Sequence, residues 1–197
     1  LVFREAGPRL QKLLRLLIIL PLLTSVVVRT FAWVVILGKE GLVNGTLIEL
    51  GLVAAPIRLL HTELGLIIAL SQIEMPLMLL PLISVMSRID PNLKDASAAL
   101  GAGRWRTLVR VILPLSVPGL AAGCLLVFAS AVTAFISQSV IGGGQLIYLP
   151  TLLWQQSMVL VNWPFSATLA VVLLVSVMLV IALIGVVQRH SRGQIHG

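Results

Sequence analysis

The side chains best placed for chemistry are polar groups set into apolar runs. Glu74 stands near the middle of the run Leu64 to Met86. A carboxylate at hydrocarbon depth costs at least a few kcal/mol unless it is paired, hydrated or protonated. One task suits it well, which is meeting a cation along a polar pathway. The competing reading is a structural pair or a helix-to-helix hydrogen bond, and the sequence leaves both open. Pro76 follows two residues later and frees backbone groups beside Glu74, which favours a polar spot there. Arg29 lies within Leu13 to Leu37, close to Trp33. It either snorkels to a headgroup layer, the depth tryptophan also prefers, or faces the pathway or a partner helix. Gln138, in the run Leu115 to Val140, is the third pathway candidate.

No catalytic set accompanies these groups. The runs hold no Ser/His or His/Glu/His combination, and the histidines (His61, His190 and His196) fall outside them. The single cysteine, Cys124, makes no internal disulfide and has no metal-ligand neighbours. No Gly-x-x-x-x-Gly-Lys-Ser/Thr phosphate loop is present. The chain is therefore not read as an enzyme, and no cofactor or metal is expected.

The elements that must hold these residues are membrane helices. The chain has 197 residues, 58% hydrophobic and 11% charged, with a mean hydropathy of +1.08. A soluble domain carries about 25% charged residues, so this chain is too apolar to be one. Four runs reach or exceed the roughly 20 residues a bilayer needs: 13–37, 64–86, 115–140 and 165–187. Pro21, Pro76 and Pro81 sit inside them, which membrane helices tolerate when neighbours re-satisfy the freed carbonyls. The third run is rich in small residues, from Gly119 to Ala131, which allow close helix approach. Gly38 to Glu63 reads as a mixed loop with interfacial or re-entrant pieces. Ile141 to Pro164 is uncharged and full of turn formers and amides. The whole chain reads as a single transmembrane domain.

The net charge is +7, yet the basic residues stand at the ends of apolar runs. That is a topology signal, and it argues against nucleic acid. Arg4, Arg9, Lys12 and Arg15 form one cluster; Arg88, Lys94, Arg104, Arg106 and Arg110 a second; Arg189 and Arg192 a third. Four alternating spans put all three on one face, the cytoplasmic one by the positive-inside rule. The chain begins at Leu1, so an incomplete or processed N-terminus is expected. Leu1 to Lys12 does not read as a cleavable signal peptide.

One long polar stretch interrupts the apolar chain, from Asp90 to Pro114. Asp90 is able to cap a helix and Pro91 fits its first turn. Leu93, Ala96 and Leu100 make an apolar stripe, with Ala99 beside it. Gly101 then provides a helix stop. Such a helix is too short to span and suits a groove on another protein. A solvated loop with incidental helicity is the alternative.

The stretch resembles the EAA motif of permease subunits in binding-protein-dependent ABC importers. That motif reads Glu-Ala-Ala, three residues, Gly, nine residues, Ile-x-Leu-Pro. Here it stands as Asp95-Ala96-Ser97, Gly101 and Val111-Ile112-Leu113-Pro114, with the spacing kept. Aspartate replaces glutamate, serine the second alanine, and valine the isoleucine. Further segments look like the spermidine/putrescine-type permeases: Leu20-Pro21, Thr24-Ser25, Arg29-Thr30-Phe31-Ala32-Trp33, Pro118-Gly119, Ala122-Gly123-Cys124-Leu125 and Asn162-Trp163-Pro164-Phe165.

The resemblance implies an all-α polytopic membrane helix bundle of the type I importer kind, in a bacterial inner membrane, with both chain ends cytoplasmic. The family has six spans, so the first two are expected to be missing, with Gly7-Pro8-Arg9 in the link after them. It implies a cytoplasmic docking helix within about 88–112, carried by Leu93, Asp95, Ala96, Ser97, Ala99, Leu100 and Gly101, with Pro114 closing the motif. The implied partners are an ATPase dimer, a second permease subunit (a copy or a paralogue), an extracytoplasmic substrate-binding protein and membrane lipid. The implied function is ATP-driven movement of a small polar solute, such as a polyamine or similar cation, by alternating access. An ion-coupled secondary transporter is the alternative function.

Overall fold

A computed structural model describes residues 8–193 of the chain. Arg4, Gly7 and His196 lie outside the described residues, as do the side chains of Arg9, Lys12, Arg15, Arg189, His190 and Arg192. The described residues are helical and contain no strand. The order is α1 (Pro8–Leu23), α2 (Val26–Leu37), α3 (Leu42–Glu49), α4 (Glu63–Ser87), α5 (Asn92–Ala99) and α6 (Arg104–Thr107). A π-helical turn (Leu108–Ile112) joins α6 to α7 (Leu113–Val132). Then come α8 (Phe135–Gly142), α9 (Leu149–Trp154), a second π-helical turn (Gln155–Val159) and α10 (Trp163–Gly193).

Among the described residues, three helices are long and apolar enough to cross a membrane: Glu63–Ser87, Arg104–Val132 and Trp163–Gly185. A fourth arises if Leu16–Leu23 and Val26–Glu49, bent by 100°, count as one broken span. The break has a local cause. Pro21 ends regular bonding, and Thr24 turns back, its N–H and hydroxyl both donating to the Pro21 carbonyl at 3.2 and 2.7 Å. Ser25 then caps α2 by accepting from the Val27 N–H. The third apolar run is divided differently from its hydropathy outline of 115–140. Its helix starts at Arg104 and stops at Val132, and Thr133-Ala134 separates it from α8. Gln138 therefore sits on its own short helix.

Two compact units divide the chain. One comprises Ile19–Glu74 with Ala129–Leu179. Its core joins Leu37 of α2, Leu66 and Ala69 of α4, and Ile141 of α8, with Trp33, Leu70 and Tyr148 packed around them. In this unit the connection from α2 to α4 is pinned by Asn44, whose side chain is fully buried. Its amide donates to the carbonyls of Gly38 and Ile57 and accepts from the Ile57 N–H.

The other unit is centred on Met75–Phe128. There the second half of α4 packs on α7 through two glycines one turn apart. A Cβ added at Gly123 would stand 2.6 Å from Met78 Sδ and 2.9 Å from its carbonyl oxygen. One added at Gly119 would meet Val85, Leu82 and Pro81 at 3.0 to 3.1 Å. Close approach between membrane helices is favourable because lipid offers no hydrophobic drive, so packing must supply the attraction. Gly123→Leu should destabilise this unit by about 1–3 kcal/mol through overpacking. Thermal unfolding of the detergent-purified protein should show a lowered midpoint. Gly45→Leu should not lower it, since a Cβ there meets nothing within 4 Å.

Candidate functional site

Arg29 lies on α2, and Glu74 and Gln138 each follow a residue that α2 contacts. Arg29 Nη1 donates to the Ile73 carbonyl on α4 at 2.9 Å. One turn further along α2, Trp33 Nε1 donates to Gln72 Oε1 at 3.0 Å. Residues i and i+4 share a helix face, so α2 grips α4 by two polar contacts from one side. Pro76 lacks an N–H and removes the normal helical donor for the Gln72 carbonyl, so this turn of α4 is already short of backbone partners.

Glu74 follows Ile73 directly. It is 6% exposed and has no hydrogen-bond partner among the described residues. It stands eight residues beyond Leu66, which puts it on the core-facing side of α4. No ion pair closes between it and Arg29. Arg29 Nε is also buried and without a partner.

The next residue on α2, Thr30, is 0% exposed. Its hydroxyl lies 2.9 Å from that of Ser137 on α8 and also donates to the Val26 carbonyl. Gln138 follows Ser137 and is 6% exposed. Its Nε2 donates to the Ala131 carbonyl at 2.9 Å, satisfying one of the orphan carbonyls where α7 ends. That bond fixes the amide orientation, since a flip would set oxygen against oxygen. The remaining atom, Oε1, is buried with no donor. The seam thus holds a buried carboxylate, an unmet acceptor and an unmet guanidinium donor, all within one residue of the contacts made by Arg29 and Thr30. No group of metal-ligating side chains occurs among the described residues.

Thr30 and Ser137 were not singled out by sequence. Serine and threonine are ordinary in membrane helices, where they bond to their own backbone. Only the pairing across 107 residues gives these two a role.

The uncharged stretch 141–164 contains α9 and the second π-helical turn. With α8 it frames a cavity of about 340 Å³ lined by Phe135, Ser139, Thr151, Trp154 and Gln155. The Phe135 and Trp154 rings stack at 5.6 Å. Burial pushes the Tyr148 phenol above its ordinary pKa, and the Glu63 carboxylate adds to the shift.

The docking candidates form a separate, exposed element. The Asp90 carboxylate accepts from the Asn92 N–H and opens α5. At the other end Gly101 adopts φ +76°. The Ala102 N–H reaches the Ser97 carbonyl and the Gly101 N–H the Ala98 carbonyl, which is the Schellman arrangement. Leu93, Asp95, Ala96, Ala99 and Leu100 are exposed, Leu100 by 88%. Ser97 is half-buried, and its hydroxyl lies 2.9 Å from that of Thr107. The serine that departs from the motif thus ties α5 to α6. Pro114 is exposed just beyond the π-helical turn. Trp105 adds a large exposed apolar side chain beside this loop.

Residues 4–193 match the model of binding-protein-dependent transport system inner membrane components. The chain belongs to this family. Its curated relatives include the spermidine/putrescine transport system permease protein PotB of Haemophilus influenzae, 37% identical over 174 residues. That match covers 88% of this chain and 61% of the relative. PotB of Escherichia coli K12 is 33% identical over 165 residues, covering 84% of this chain and 60% of the relative. This inner membrane component thus spans about three fifths of the length of these relatives. Among solved structures, its fold matches a bacterial ABC transporter involved in the import of the acidic polysaccharide alginate. The TM-score is 0.79 at 17% identity, covering 96% of this chain and 69% of that one. The same fold recurs, at TM-score 0.77 and 16% identity, in a bacterial alginate ABC transporter in complex with an alginate pentasaccharide-bound periplasmic protein. At these identities the structural likeness speaks for the fold alone.

The Thr30–Ser137 contact yields a direct test of the seam. Thr30→Val leaves a buried hydroxyl without its partner and should cost about 1–3 kcal/mol. Thr30→Val with Ser137→Ala removes both groups and should cost less than the two single changes summed. Thermal unfolding of the purified variants measures both.

Proposed function

We propose that this inner membrane component is the permease subunit of an ATP-driven importer, carrying a small polar cation of the polyamine class inward by alternating access. The observation that carries the reading is the α5 element: a short capped helix with bare leucines, held outside the long apolar helices by its Gly101 stop and the Ser97–Thr107 contact. Such a surface needs a protein groove to cover it. An ATPase dimer on the cytoplasmic side is the partner this reading assigns, and ATP hydrolysis belongs there. Leu93 and Leu100 anchor the contact, Asp95 offers a charge, and Ala96 and Ala99 permit close approach.

The remaining partners follow from the other surfaces. A second permease subunit, a copy or a paralogue, completes the pathway. A solute-loaded binding protein meets the uncharged 141–164 region on the opposite face. Lipid covers the apolar side of α10, where Val171, Leu174, Val175 and Met178 are exposed. Both chain ends lie in the cytoplasm on this reading, in line with the basic clusters.

Glu74, with the Gln138 Oε1 acceptor, is the group that meets the cation in transit. A cation passing this point gains a charge-assisted hydrogen bond from a carboxylate that otherwise lacks one. The relatives named for spermidine and putrescine support this substrate class.

The test uses the full-length protein purified from its host membrane. ATPase activity should co-purify with it. Leu100→Asp should remove that activity while the protein still inserts, because the Leu100 side chain is exposed. Undiminished ATPase association in Leu100→Asp would end the docking role. In the assembled complex, Glu74→Gln should reduce spermidine uptake about tenfold or more, the scale of losing a hydrogen bond to a charged group. Uptake driven by an ion gradient with no ATPase present would replace this reading with a secondary transporter.

A further inference from the structure

Arg29 meets α4 one residue before Glu74. The guanidinium is bonded to the carbonyl of Ile73, the residue directly before Glu74. It does not form an ion pair with the carboxylate, and its Nε has no partner. Glu74 in turn is buried with no partner of its own among the described residues. Each side chain keeps unused hydrogen-bonding capacity, and each carries the charge the other lacks.

Two simpler arrangements would not serve a cation pathway. A closed, bidentate Arg–Glu pair would neutralise the carboxylate and leave nothing for the solute. A lone buried carboxylate would be costly whenever the pathway is empty. The observed arrangement lies between them. Arginine suits the position because its charge is permanent, delocalised and weakly hydrated, so it tolerates a dry site.

We infer that Arg29 is a resident counter-cation for Glu74, which the cationic solute displaces on arrival and which returns as the solute leaves. The inference rests on the proposed role of Glu74 as the group meeting the solute. Arg29 is then a positioning residue that limits how tightly the solute is held. A site that binds too tightly would slow release and therefore turnover. Trp33, one turn along α2 and bonded to Gln72, keeps the helix in register while the guanidinium moves.

The experiment is equilibrium binding of spermidine to the purified complete transporter without its binding protein, beside uptake rates in proteoliposomes. Arg29→Gln should tighten binding about tenfold and lower the maximal uptake rate. Arg29→Lys retains a cation and should stay within about threefold of the parent in binding. Arg29→Met, which keeps the apolar stem, serves if Arg29→Gln does not assemble. Glu74→Gln should weaken binding about tenfold, and adding Arg29→Gln to it should then change binding less than twofold. Tightening that persists without Glu74, or binding that is unchanged or weaker in Arg29→Gln, overturns the counter-cation. If Glu74→Gln alone leaves binding unchanged, the pathway role of Glu74 fails first and the counter-cation falls with it. Weakened binding in Glu74→Gln with no tightening in Arg29→Gln removes the counter-cation alone.

Discussion

A polar group inside hydrocarbon must find its partner within the protein, because no water is present to supply one. The organisation of the first unit follows from that constraint. Wherever a long helix breaks, a side chain takes over the abandoned backbone bonds. Ser25 and Thr24 do so between α1 and α2. The Thr133 hydroxyl donates back to the carbonyls of Ala129 and Ser130, and the Gln138 amide donates to that of Ala131. Against this background of satisfied breaks, the unmet atoms Arg29 Nε and Gln138 Oε1 stand out. Arg29 bonds to the Ile73 carbonyl of α4, and the next residue, Thr30, pairs with Ser137 and holds α2 against α8.

The same constraint explains why so much apolar surface is left bare. α10 presents valines, leucines and methionine outward along its length. In water that face would drive aggregation, whereas in lipid it is the normal condition of a span. Leu93, Leu100 and Trp105 differ in kind. Leu93 and Leu100 lie on or just after the short α5 among charged residues, and Trp105 stands at the start of the helix Arg104–Val132.

Some of this was legible from residue order. Membrane helices follow from run length, and the α5 element from its cap, stripe and glycine stop, because those signals are local. Glu74, Arg29 and Gln138 were each visible as polar residues in apolar runs. Their convergence was not, since the contacts span 44 and 107 residues and no short-range period encodes them. The helix breaks were hidden for a different reason. Thr24-Ser25 and Thr133-Ala134 are small and weakly polar, so a hydropathy profile runs straight through them. The division of the third run at residues 133–134 turns on hydrogen bonds that composition does not report.

The geometry around Pro114 also gives physical sense to the last residue of the motif. A proline within a helix removes one backbone donor and crowds the carbonyl four residues earlier, here that of Arg110. The chain responds with a π-helical turn at Leu108–Ile112, in which the Leu113 N–H bonds to the Leu108 carbonyl. Ser116, buried, donates to the Ile112 carbonyl at 2.7 Å and closes the junction. Helical bonding therefore continues from Arg104 into Val132 without a gap. α5 is tied to the start of that rod by the Ser97–Thr107 contact. On the docking reading, a push on α5 enters a rod that leads into a span rather than a loop that would absorb it. The wider π-helical turn is a place where that rod can change its angle, because its bonding register is already altered there, and Pro118 further along is another.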